Sequence, residues 1–199
     1  MISYTDHMEA LIRDIVSRGD EFRHVDCAAL LTAVSQARTS RISGDLAQLI
    51  PLRFEGGATQ RVVRGRTYYA NSLRHASRDI LYIVSFLLPR FCDLSPDRKL
   101  LTVFHELYHI SPEFNGDIRR FAGRNYAHGS SRRKYDALME ELVQAYSKAN
   151  PPGELLEFLQ HDFAGLNRKF GGVTGRRVRR RWAAVRTIAN AEVRMQKAE

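Results

Sequence analysis

Five consecutive residues, His105-Glu106-Leu107-Tyr108-His109, hold the densest chemistry in this chain of 199 residues. On a helix, His105 and His109 lie one turn apart on one face and present two imidazole nitrogens to a single point. A tetrahedral Zn2+ accepts donors from protein in that way. Glu106, one step round the turn, reaches a zinc-bound water rather than the ion, and its carboxylate takes the proton as the water attacks a carbonyl. These are the residue types that zinc-assisted hydrolysis needs: two neutral nitrogen ligands and a base that is not consumed as a ligand.

A catalytic zinc takes a third protein ligand and keeps one position open. His128 is the first candidate, because it closes a polar, Gly116-containing loop over residues 111–130 and leads into the next helix. The carboxylates Asp136, Glu140 and Glu141 on that helix are alternatives, and His161, beyond Pro151-Pro152-Gly153, ranks below them. Tyr126, two residues before His128, is a candidate donor to a developing oxyanion, set against an ordinary packing role. His7, His24 and His75 have no metal-like partners nearby in sequence and read as ordinary residues.

The elements that must position these groups follow from pattern. Met8, Leu11, Ile12, Ile15 and Val16 recur at helical spacing behind a possible cap at Thr5, and Asp26 can cap a second short helix through Leu30, Leu31 and Val34. Between residues 39 and 88, glycines and Pro51 punctuate three β-prone stretches, 49–54, 61–69 and 80–88. The middle stretch is half exposed and suited either to edge pairing with an extended peptide or to an interior place. The last, continuous in apolar residues, is a covered strand. Ser95 as cap, Pro96 at the first helical position and Asp97 in the first turn start the helix that carries the two histidines. Further helices are expected over residues 131–149 and 155–163. The sum is an α+β fold: two leading helices, a small mixed sheet packed on the metal-bearing helix, a ligand loop and closing helices.

At this point the chain resembles a family of phage metallopeptidases. The resemblance is carried by Phe104-His105-Glu106-Leu107-Tyr108-His109-Ile110-Ser111-Pro112, by Gly116-Asp117-Ile118 and by Tyr126-Ala127-His128-Gly129, and it spans roughly residues 41–146. It implies a compact zincin-like domain, distantly similar to SprT-like proteases, with His105, His109 and His128 as zinc ligands and Glu106 as catalytic acid and base.

With 44% hydrophobic and 27% charged residues the chain can bury a core. Its longest apolar run is too short to span a bilayer, and the N-terminus lacks a secretory pattern, so the expected compartment is the cytoplasm. Cys27 and Cys92 are expected as free thiols. Of the net charge of +9, eight cations lie between Asp162 and Glu192 with no acid among them. The expected division is therefore a zincin-like domain over residues 1–165 and a basic segment over 166–199. In that segment Arg176, Arg177, Arg179, Arg180, Arg181 and Trp182 are candidates for neutralising DNA phosphates and stacking on a base. The function expected is zinc-dependent peptide hydrolysis on a protein or peptide substrate, targeted to DNA or to a DNA-bound protein by the basic segment. Two alternatives are a non-catalytic DNA-binding protein with a structural zinc, and a zinc hydrolase of a non-peptide amide.

Overall fold

The computed structural model describes residues 1–37, 45–70, 72–121 and 131–178. Its organising element is the strand β8 (Tyr82–Leu88), the centre of a three-stranded mixed sheet. On one side β2 (Leu30–Gln36) runs parallel to it, Leu30 opposite Tyr82 and Gln36 opposite Leu88. On the other, β3 (Ala47–Pro51) runs antiparallel, with Ala47 opposite Phe86 and Pro51 opposite Tyr82.

Alternate residues of β8 enter different cores. Tyr82, Val84 and Phe86 join the large cluster, while Ile83 packs with Leu31, Ala33, Leu52 and Ile80 on the opposite face. A strand covered on both faces loses its period-two pattern, hence the unbroken apolar run. β2 is covered in the same way, and this corrects the helix expected after Asp26. Leu30, Leu31 and Val34 match a helical spacing only because the whole of residues 30–34 is buried.

The large core is closed by α1 (Tyr4–Arg18), whose Met8, Leu11, Ile12 and Ile15 are buried, and by α2 (Pro96–Tyr108) and α3 (Arg132–Lys148). α1 begins one residue before the expected cap. Ser3 holds the cap position, and Thr5 is buried instead. Tyr146 of α3 donates to Asp14 of α1 at 2.7 Å, and Asp14 also pairs with Arg18, so α1 and α3 are tied by a polar clamp at the edge of the core.

The stretch expected as one strand over residues 61–69 is a hairpin: β4 (Gln60–Val63) and β5 (Arg66–Tyr69) meet at an Arg64-Gly65 turn. A second hairpin follows, β6 (Leu73–His75) with β7 (Arg78–Ile80). After α3 come a short helix, α4 (Gly153–Leu156), a 3-10 turn (Glu157–Gln160) and α5 (Phe163–Phe170).

The first and last described strands meet. β1 (Ile2–Ser3) pairs in parallel with β9 (Val173–Thr174). Beyond it Arg176 bonds Glu9 and the Thr32 carbonyl through its guanidinium, while its own carbonyl accepts from Val34 N. The division expected at residue 165 thus falls inside α5, whose Leu166 is fully buried, and the fold continues through the described residues to Val178. Cys92 is buried and Cys27 half-buried, both free thiols. Among the described residues no helix is long and apolar enough to cross a membrane.

Candidate metal centre

The helix carrying the histidines starts as its sequence dictates, with Ser95 in extended conformation and Pro96 inside the first turn. Val103, Phe104 and Leu107 anchor one face in the core. Its end is fixed by Arg119, which returns from the following loop. The Arg119 N–H donates to the His109 carbonyl at 2.7 Å, and its Nε donates to the Tyr108 carbonyl at 2.9 Å. Last-turn carbonyls have no partner within a helix, so two donors aimed there, one of them cationic, hold the C-terminal turn in place. Arg119 itself is held by Glu21 at 3.0 Å and by the Tyr108 ring, 4.0 Å below its guanidinium carbon.

That turn delivers the two imidazoles to one point. His105 Nε2 and His109 Nε2 lie 3.0 Å apart, with the rings nearly perpendicular. Two nitrogens facing each other so closely need a proton or a cation between them, since two lone pairs or two N–H groups would repel. Donors on one zinc at about 2.0–2.1 Å and a tetrahedral angle stand about 3.3 Å apart, so the observed pair fits that ion after a shift of a few tenths of an ångström. Both rings are half-buried.

Glu106, between them in sequence, reaches the sheet. It is 8% exposed, and its Oε2 accepts from Leu49 N of β3 at 2.6 Å. Burial pushes its carboxyl up to about 7; the Leu49 N–H opposes the rise and Asp45 adds to it. A carboxyl at that level exchanges a proton readily near neutral pH.

Tyr135, on the first turns of α3, packs edge-on against His105 at 5.2 Å and stacks on His109 at 6.1 Å. Burial, and then the nearby Glu106 carboxylate, hold its phenol well above the ordinary range, so it stays protonated. In the sequence Tyr135 is one of several apolar positions along a helix face, and nothing local distinguishes it. Its place beside both imidazoles comes from the packing of α3 on α2.

The loop after the helix is stapled from several sides. Tyr82 Oη donates to the Asp117 carbonyl and accepts from Gly116 N, and Ile110 bridges to Ile118. Gly116 sits at φ +87°, and a Cβ there would meet Arg53 Cγ at 2.5 Å. Only glycine fits both the backbone angle and the gap.

The remaining expected residues divide clearly. His128 and Tyr126 lie outside the described residues, as do Arg179, Arg180, Arg181 and Trp182. Asp136, Glu140 and Glu141 are exposed on α3, and Glu140 lines a groove with Asp97, Arg98 and Leu101, beside the first half of α2. His161 packs on Phe170 and neighbours Lys169. Among the described residues no group of three or more His, Cys, Asp or Glu donors forms. Arg176 is engaged with Glu9 and Thr32 and braces the fold, whereas Arg177 is exposed.

No protein-family model matches the chain, and no curated protein or solved structure does either. Function therefore rests on the site's own chemistry.

Proposed function

We propose that the chain is a zinc-dependent metallopeptidase of zincin type, with His105, His109 and His128 as the ligands and Glu106 as acid and base. The observation that carries this reading is the convergence of two Nε2 atoms, 3.0 Å apart, on the helix that also carries the buried carboxyl of Glu106. Zinc, when bound, supplies Lewis acidity toward water and toward a substrate carbonyl. Glu106 takes the proton of the attacking water and returns it to the leaving amine. Its burial suits both roles, because neither the charged nor the neutral form is strongly preferred near pH 7. Tyr135 holds the two imidazoles in their rotamers, and Arg119 holds the turn that carries His109.

The peptide lies along β3. Glu106 lies against β3, which ends the order of the sheet among the described residues. An extended substrate pairing along β3 would bring a carbonyl toward Glu106, whereas the residue 61–69 stretch, once a candidate for that role, forms its own hairpin. Cytoplasmic residence and DNA targeting through the segment after Arg177 belong to the same proposal.

The test is a substrate panel of unfolded proteins, peptides and non-peptide amides, run with wild type and Glu106→Gln. Cleavage of peptide bonds by wild type alone, with zinc bound in both, is the expected result. Function undiminished in Glu106→Gln would point to a structural zinc and overturn the reading.

A further inference from the structure

The β4–β5 hairpin stands out from the fold as a cationic ribbon. All four residues of β4 are exposed, Val62 at 66% and Val63 at 38%. Cross-strand partners share a face, so Arg61, Tyr68, Val63 and Arg66 line one side, with Arg64 at the tip. Residues 56–80 hold five arginines against one carboxylate, Asp79, and that carboxylate pairs with Arg74 on the second hairpin. Arg18, Arg119, Arg120 and Arg176 each reach an acid elsewhere. Among the described residues the side chains of Arg61, Arg64 and Arg66 make no ion pair or hydrogen bond.

The turn adds a second observation. Arg64 and Gly65 have φ of +50° and +72°. This is the tight hairpin turn that favours Asn or Asp first and Gly second. An arginine in that first place sets a cation at the most protruding point at a conformational cost. A tip carrying Arg64 is also unsuited to entering hydrocarbon, so the arm suits a polyanion surface and not insertion into a bilayer core.

We infer that this ribbon is a docking arm for duplex DNA, entering a groove while Arg61, Arg64 and Arg66 contact phosphates. Its dimensions fit: strands of four residues extend about 14 Å, against a major groove about 12 Å wide and about 8.5 Å deep that admits a two-stranded ribbon. The base of the arm is joined to the metal centre. Arg53 N donates to the Gly116 carbonyl and Gly56 N to Asp117, in the loop whose Arg119 caps the histidine-bearing helix. The inference does not depend on zinc and is tested without it.

The experiment is fluorescence anisotropy of a labelled mixed-sequence duplex with the full chain, across a salt series. The variants are R61A/R64A/R66A, R61K/R64K/R66K and R179A/R180A/R181A. Losing three phosphate contacts should lower the slope of log affinity against log salt by roughly three and weaken binding at least about tenfold near 0.1 M salt. The lysine variant should keep the wild-type slope, which separates lost charge from a misfolded hairpin. The C-terminal variant should keep the hairpin's share of the slope, so that its loss does not exceed that of the alanine hairpin variant. Wild-type affinity and slope in R61A/R64A/R66A would overturn the inference. So would a wild type that ignores duplex and instead binds vesicles containing anionic lipid.

Discussion

Replacing Asp117 by Asn tests how the loop beside the candidate metal centre is held. Asp117 is 5% exposed and accepts four hydrogen bonds: from Gly56 N and Arg120 Nε on Oδ2, and from Ile118 N and Arg120 Nη2 on Oδ1, at 2.8–3.0 Å. Asn keeps the shape but loses the charge, and its amide nitrogen faces donors on one side. Bonds to a charged group contribute about 1.5–3 kcal/mol and neutral ones about 1, so the loss comes to about 3–4 kcal/mol after discounting the partly exposed Arg120. For a chain of this size that lowers Tm by about 10 °C. The pH dependence gives an internal check. Burial alone would raise the Asp117 carboxyl, but the bonds from Arg120, Gly56 and Ile118 outweigh it and hold the group below its ordinary value. A depressed folded value means stability that is fully present above the unfolded value and is lost as pH falls through the folded one. Calorimetric melts of both proteins should therefore differ fully at pH 7 and 5, and the gap should narrow below about pH 4. A gap of under about 2 °C at pH 7, or one that widens in acid, would refute the reasoning.

Other perturbations have equally definite outcomes. Gly116→Ala combines a positive φ with overlap on Arg53 and should cost about 2–4 kcal/mol in a denaturant melt; an unchanged midpoint would remove the loop's claim to a fixed shape. Lys99, 1% exposed, donates to the Leu159 and His161 carbonyls at 2.7 and 2.8 Å. Lys99→Met leaves both carbonyls without that partner and should destabilise by about 2–4 kcal/mol. In metal-free protein the raised Glu106 carboxyl makes its ionised form costly, a cost absent below about pH 4.5 and complete above about pH 8. Glu106→Gln should then be more stable than wild type by roughly 3 kcal/mol at pH 8 and little different at pH 4.5. Equal melts at pH 8 would contradict the burial of that group.

The parts of the fold that could be read from sequence are those set locally. Ser95-Pro96 starts α2, and Ser131 caps α3 by accepting from Lys134 N. The apolar run at 80–88 marks the central strand, and the four-residue spacing puts two imidazoles on one face of the helix. The parts missed are set by tertiary contact. β2 looks helical in spacing because a strand buried on both faces shows no alternation. The Arg64-Gly65 turn lacks the Asn or Asp that usually signals a hairpin. The union of Ile2 with Val173 joins segments far apart in sequence, and no local pattern announces it. The same union explains why charge was a poor guide to the domain edge: Arg176 belongs to the fold by its bonds to Glu9 and Thr32. Tyr135 is hidden for a similar reason, since its place beside both imidazoles arises only when α3 lies across α2.

The most direct measurement is the metal content of purified protein after exhaustive dialysis, in wild type and in single variants. Wild type and Glu106→Gln should hold close to equimolar zinc, as should Glu140→Ala, while His105→Ala, His109→Ala and His128→Ala should lose it. Zinc retained in His105→Ala and His109→Ala, or a wild type that takes up none when it is supplied, would contradict the account.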